Sequence, residues 1–142
     1  MSQVPSDMNA FNRQIIEEFR ATKGQLSGRM AGRQLLLLTT TGARTGEPRT
    51  AVVGYRKSGD SFVVIASDNG AAANPAWYVN LLANPSATVE VGPEKLNVRA
   101  RTVKGKERHK LAKLVEYLEP QQKQTAREIP VVALERVKSR KS

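Results

Sequence analysis

Leu35-Leu36-Leu37-Leu38-Thr39-Thr40 is a short, continuously apolar run, the pattern of a strand buried on both faces. Phe62-Val63-Val64-Ile65-Ala66 repeats that pattern within a strand expected from Ser61 to Ser67. Ser58-Gly59-Asp60 separates it from a strand expected over Thr50 to Lys57, which together predict a hairpin. Further on, Ala87, Val89 and Val91 alternate with Thr88 and Glu90, as in a half-exposed strand. Gly92-Pro93 then turns the chain into Lys95 to Val103, with Leu96, Val98 and Ala100 on one face and Asn97, Arg99 and Arg101 on the other. Pro130-Val131-Val132-Ala133-Leu134 predicts a last strand, which brings the expected number to about six.

Helical spacing marks three other segments. Met8, Phe11, Ile15 and Phe19 form an apolar stripe that Ser6-Asp7 would cap, so a first helix is expected to pack on the domain. The second reading of that stripe is an amphipathic helix making peripheral contact with a membrane. Asn74 is expected to cap a short helix with Pro75 at its first position, ending near Ala83-Asn84-Pro85. Leu111, Leu114, Val115 and Leu118 predict a third helix over Lys106 to Leu118. Hairpin-linked strands with helices at the margins argue for an α+β, mainly β chain: one antiparallel barrel domain over residues 1–142, with a helix and loop over 1–32 and a basic tail over 136–142.

Composition narrows the function classes. No cysteine means no disulfide framework, no thiolate metal site and no cysteine nucleophile, in keeping with a cytoplasmic protein. The single histidine, His109, falls opposite the apolar stripe of its helix, which speaks against a protein metal site or a Ser-His triad. The net charge of +10 attracts anions of many kinds. Eight Lys/Arg lie between Lys95 and Lys113 and four between Arg136 and Lys141. Three Phe, three Tyr and one Trp give no interleaved stacking platforms, so nucleic acid is not the expected partner. A small molecule is, and the chain is expected to act as a monomer.

Two stretches carry the chemistry. Gly42-Ala43-Arg44-Thr45-Gly46-Glu47-Pro48-Arg49 offers backbone amides, a hydroxyl and two guanidiniums within eight residues, immediately after a buried strand. Such a turn can cradle a phosphate or carboxylate, although a plain basic hairpin turn has the same composition. It matches neither the Walker pattern nor the dinucleotide fingerprint. Some thirty residues later, Asn74-Pro75-Ala76-Trp77-Tyr78-Val79-Asn80 places the only tryptophan beside a tyrosine at a helix start. Adjacent residues cannot share a helix face, so one ring can enter the core while the other faces a ligand. Ser67, at the end of a core strand, is a candidate donor to a ring or substrate. With no catalytic constellation of its own, the chain is expected to take its reactivity from a cofactor.

The run LLLLTTTGARTGEPR, the Ala66-Ser67 strand end and the Asn74-Pro75-Ala76-Trp77-Tyr78-Val79-Asn80 start resemble, in order and spacing, the deazaflavin (coenzyme F420)-dependent nitroreductase family. The likeness spans about Leu35 to Val103, with a weaker echo in Ile129-Pro130-Val131-Val132. It implies a split β-barrel and hydride transfer from reduced coenzyme F420 to an electron-poor enone, unsaturated lactone, quinone or nitroaromatic. By position, Ala43, Arg44, Thr45, Arg49, Thr50, Ala51, Val52, Val53 and Gly54 would hold the phosphate and oligoglutamate tail. Ile65, Ala66, Ser67 and Asp68, with Ala76, Trp77, Tyr78, Val79 and Asn80, would line the ring and ribityl portion. Ser67 would polarise or protonate the substrate, and Tyr117 would stand on its substrate side. Ala43 and Asp68 depart from the family, which often has basic residues there, so the alternative is a non-enzymatic binder of an acidic lipid or other anion.

Overall fold

The computed structural model describes residues 3–26, 33–67 and 73–137, with side chains in the first helix from residue 13 onward. Eleven elements follow in order: α1 (Gln3–Thr22), β1 (Leu35–Thr41), β2 (Pro48–Gly54), β3 (Arg56–Ser58), β4 (Ser61–Ile65), α2 (Ala76–Ala83), β5 (Ser86–Val91), β6 (Glu94–Thr102), α3 (Gly105–Ala112), α4 (Leu118–Gln122) and β7 (Val131–Arg136). The seven strands form one sheet in the order β2-β1-β5-β6-β7-β4-β3, every neighbouring pair antiparallel.

The two edge strands of that order are consecutive in sequence. They are the halves of one bent run, interrupted at Tyr55, whose amide donates to the Gln34 carbonyl at 3.2 Å. A run that pairs with β1 at one end and β4 at the other curls the sheet into a split barrel. This explains why seven strands stand where about six are expected: the single strand expected from Thr50 to Lys57 changes partner at Tyr55.

Both apolar runs behave as the pattern implies. Leu36 and Leu38 enter the barrel interior with Val53, Phe62, Val64, Tyr78 and Leu134, while Leu37 points outward under α1. Val63 and Ile65 likewise face a second cluster, formed with Leu111, Val115, Leu118, Ile129 and Val131 beneath α3 and α4. On α1, Ile15 and Phe19 pack against Leu37, and Arg20 grips Glu90 of β5 through two hydrogen bonds of 2.9 and 2.7 Å. The described part of the apolar stripe is therefore spent on the barrel wall. The side chains of Met8 and Phe11 lie outside the described residues. Among the described residues no helix is long and apolar enough to cross a membrane.

The helix boundaries differ from expectation in three places. Helix α1 begins at Gln3, ahead of the expected Ser6-Asp7 cap. Helix α2 has Pro75, not Asn74, at its N-cap and no side-chain cap. The Asn74 oxygen instead accepts from Arg127 at 2.8 Å. The helix expected over Lys106 to Leu118 breaks after Ala112, so that Val115 and Leu118 both reach the outer core and α4 starts in a new direction.

From α4 to β7 the chain is held by Arg108, which donates to the Ile129 carbonyl at 2.6 Å, and by Gln122. Gln122 donates to the Arg127 carbonyl at 2.6 Å and accepts from the fully buried Ile129 amide at 2.9 Å. Because the Ile129 N–H would lose its partner in a dry setting, Gln122→Ala is expected to cost about 1–3 kcal/mol in chemical denaturation. An unchanged midpoint would show that the loop is held by other contacts.

A groove between a basic turn and the Trp77 helix

The basic turn closes the β1–β2 hairpin, where Thr41 pairs with Pro48. Its amides are largely committed. Gly42 N–H donates to the Glu47 carbonyl at 2.8 Å, Gly46 N–H to the Gly42 carbonyl at 2.9 Å, and Glu47 N–H to Thr45 Oγ1 at 3.2 Å. Gly46 adopts φ +73°, a conformation that a residue with a side chain reaches only under strain. The Ala43 amide leaves the turn altogether and donates to Asn80 Oδ1 at 3.0 Å.

Asn80 is nearly buried, and its Nδ2 donates to Thr40 Oγ1 at 3.0 Å. One carboxamide thus fixes the turn to α2 and to the end of β1. Among the described residues, the Arg44 and Thr45 amides have no hydrogen-bond partner, and Arg44 and Arg49 form no ion pair. The anion-attracting equipment of the turn is therefore narrower than its sequence suggests: two amides, the Thr45 hydroxyl and two exposed guanidiniums.

These groups open onto a cavity of about 620 Å³ whose walls include Ala43, Arg44, Thr45, Arg49, Thr50, Ala51, Ala76, Trp77, Val79 and Asn80. A second lobe of about 310 Å³ is lined by Ala51, Val52, Val53, Gly54, Ile65, Ser67, Pro75, Trp77, Tyr117 and Gln121. Ala51 and Trp77 belong to both, so the lobes form one groove running from the cationic turn to Ser67 and Tyr117. Of the residues singled out from sequence, Ala66 and Tyr78 line neither lobe. Ala66 is fully buried in the barrel. Tyr78 turns into the core, where its hydroxyl is 2.8 Å from Thr102 Oγ1, and its ring stands edge-on to Trp77 at 6.2 Å. The division expected of the adjacent rings therefore holds: Tyr78 packs and Trp77 faces the groove. Asp68 lies outside the described residues.

Ser67 is held from behind. Arg127 donates to the Ser67 carbonyl at 3.0 Å, to the Ala66 carbonyl at 3.1 Å and to Asn74 Oδ1 at 2.8 Å. It ties the end of β4 to the entrance of α2, and a separation of sixty residues kept it invisible to sequence reasoning. Tyr117 is positioned by β3: the Arg56 guanidinium lies 5.0 Å from its ring centre and pairs with Glu116 through two hydrogen bonds. Burial pushes the Tyr117 phenol above its ordinary pKa, against the pull of Arg56. The hydrogen bonds from Arg56 hold the exposed Glu116 carboxyl below the usual carboxylate range. Gly54 lets this arrangement close, since a Cβ there would stand 3.0 Å from the Tyr117 hydroxyl.

His109 is exposed on α3, and the described residues contain no cluster suited to a metal ion. Arg101, on the outer face of β6, is occupied by Glu107 and Glu135 at 2.7 and 2.8 Å, so it does not extend the cradle. The residues that sequence reasoning did not assign to the groove are Gly42, Pro75 and Gln121. The signal for Gln121 was its place one helical turn beyond Tyr117.

A profile of the family described as F420H(2)-dependent quinone reductase matches residues 11–136. An F420H(2)-dependent quinone reductase of Mycobacterium tuberculosis is 37% identical over 127 residues, covering 83% of this chain and 85% of that protein. Among solved structures, an F420-H2-dependent reductase (FDR-A) superposes with a TM-score of 0.67 at 33% identity, covering 72% of this chain and 95% of that one. A chain solved as a domain-swapped dimer gives 0.70 at 31%, covering 92% and 99% respectively.

Replacing Asn80 with Ala removes the bond that joins the turn to α2 and leaves the Thr40 hydroxyl of β1 without its donor. The variant is expected to lose about 1–3 kcal/mol of stability in denaturant titration. Wild-type stability in Asn80→Ala would mean that the turn is held independently of α2.

Proposed function

The chain belongs to the F420H(2)-dependent quinone reductase family, and on that premise we propose that this groove binds reduced coenzyme F420 and reduces quinone-like substrates in its inner lobe. The observation that carries the reading is the groove itself, which runs from an unpaired cationic turn past Trp77 to a lobe that holds Ser67 and Tyr117. The residues present suit an elongated anionic cofactor with a flat ring. Arg44, Arg49 and the Arg44 and Thr45 amides suit a tail of phosphate and carboxylates, because charge-assisted hydrogen bonds to anions are among the stronger contacts a surface offers. Trp77 and Ala51, which line both lobes, suit the ring.

When bound, the cofactor supplies a hydride; the protein supplies orientation and surroundings. The walls of the inner lobe hold a flat substrate against the ring, which orients the reacting atoms. Arg127 holds the Ser67 backbone in the wall of the inner lobe, where the serine hydroxyl can donate to a substrate or ring oxygen. The departure at Ala43 costs the tail no hydrogen bond from that residue's amide, which Asn80 already holds. The affinity for the tail therefore falls on Arg44 and Arg49.

Mixing the protein with reduced F420 and a quinone is expected to discharge the cofactor's absorbance, whereas NADPH is not expected to be consumed. No turnover and no binding of F420 would overturn the assignment. Arg44→Ala and Arg49→Ala are each expected to weaken binding of oxidised F420 by about 1–3 kcal/mol, read by equilibrium titration. An unchanged affinity would remove that arginine from the tail site. The monomer expected from sequence is tested by light scattering on the purified protein, since a similar chain forms a domain-swapped dimer.

A further inference from the structure

The end of β4 is held on one side and bare on the other. On the β7 side the Ala66 amide donates to the Pro130 carbonyl at 3.0 Å, and Arg127 donates to the Ala66 and Ser67 carbonyls at 3.1 and 3.0 Å. On the opposite side β3 pairs only with Ser61 to Val63, so no strand covers Ser67. Among the described residues, neither the Ser67 amide nor its hydroxyl has a hydrogen-bond partner, although the residue is only 6% exposed and lines the inner lobe. The Tyr117 hydroxyl and Gln121 Oε1 are sealed inside the wall, and the Ser67 hydroxyl is not. The peptide that joins Ala66 to Ser67 is trans, so its C=O and N–H point in opposite directions. Its carbonyl faces Arg127, which stands behind the wall; its N–H, that of Ser67, therefore points to the side of the lobe. An unpaired backbone N–H in a nearly buried residue is uncommon and costly, and here its partner has to come from what enters the lobe.

We propose that the Ser67 amide and hydroxyl form a two-donor site for a substrate oxygen that gains negative charge during the reaction, and that Arg127 is the positioning residue that aims and polarises the pair from behind the wall. The proposal rests on the reductase reading above and deepens it. A hydride from reduced F420 that forms a C–H bond on an electron-poor acceptor pushes a conjugated π pair onto the acceptor's oxygen. That oxygen stays anionic until a proton arrives from water. Two donors already aimed at it stabilise the charge without reorganising when it appears. The guanidinium supplies the polarisation, because a carbonyl that accepts from a cation strengthens the N–H at the other end of the same peptide. Its bonds to two successive carbonyls also fix the backbone from which the Ser67 side chain leaves. The third bond of Arg127, to Asn74 Oδ1 at 2.8 Å, joins the wall to α2 and takes no part in polarising the donors.

The test is a ligand that carries the charge without turnover. Protein loaded with oxidised F420 is titrated by calorimetry with 4-nitrophenolate and with its neutral isostere 4-nitroaniline, at a pH where the phenol is ionised. Wild type is expected to bind the anion about tenfold more tightly than the neutral ligand. In Arg127→Met that preference is expected to fall to about twofold or less. Arg127→Gln, which keeps a donor for the carbonyls without the charge, serves in its place if the methionine variant does not fold. Two controls should keep the wild-type preference: Arg101→Met, which loses the same unit of charge on the outer face of β6, and Asn74→Ala, which loses only the third anchor. Equal affinity of wild type for both ligands would overturn the proposal whatever the variants do. So would a preference that survives the loss of charge at Arg127, which would leave that residue a role in the fold alone. An equal fall in either control would also overturn it, by assigning the preference to net charge or to the tie to α2. Failure of the wild-type protein to bind F420 would strike the reductase reading. The same titrations on the protein alone would then decide the donor site, and equal affinity for the two ligands would overturn it as well.

Discussion

Asn80 is the joint on which the site depends. Its carboxamide accepts from Ala43 in the basic turn and donates to Thr40 at the end of β1, from a helix that itself packs on the barrel core through Tyr78 and Leu81. A hairpin tip rich in Gly and Arg would by its composition sample many conformations. Tied to α2, it faces Trp77 across a groove of fixed width. The motif that places a proline, an aromatic pair and an asparagine in seven residues is thus one mechanical unit: Pro75 starts the helix, Tyr78 roots it, Trp77 lines the groove and Asn80 fastens the opposite wall.

The far end of the groove is set by longer connections. Arg127 reaches from the chain before β7 to the Ala66 and Ser67 carbonyls, and Arg56 reaches from β3 to Glu116 and the Tyr117 ring. Both draw on the split of the barrel. Because the run through Tyr55 pairs with β1 at one end and β4 at the other, β3 passes beside the segment that carries Tyr117. The same curl leaves Gly54 against the Tyr117 hydroxyl. The inner lobe is bounded by elements whose relative placement follows from that bend.

Much of this was legible in the sequence because it is local. The doubly buried strands Leu35–Thr41 and Ser61–Ile65, the hairpin at Gly59, the split of roles between Trp77 and Tyr78 and the surface position of His109 all follow from patterns a few residues long. What escaped depended on partners far along the chain. The turn amides looked free because nothing in Gly42 to Arg49 reveals that Asn80 will take one of them. Tyr78 looked like a ligand contact because motif position does not say which way a side chain points once the helix docks. The break after Ala112 was hidden by Leu111, Leu114, Val115 and Leu118, whose spacing suits a continuous helix. That break redirects α4 and turns Tyr117 and Gln121 toward the groove together.

The central claim is that one groove joins a cationic tail clamp to a ring slot, and the most direct measurement compares two ligands that differ only in the tail. Titration of the wild-type protein with oxidised F420 and with its deazaflavin riboside, which lacks the phosphate and glutamates, separates the two ends. The account predicts that both bind and that F420 binds at least about tenfold more tightly, with the difference shrinking as salt screens the arginines. Equal affinity at low salt, or no binding of either, would contradict it.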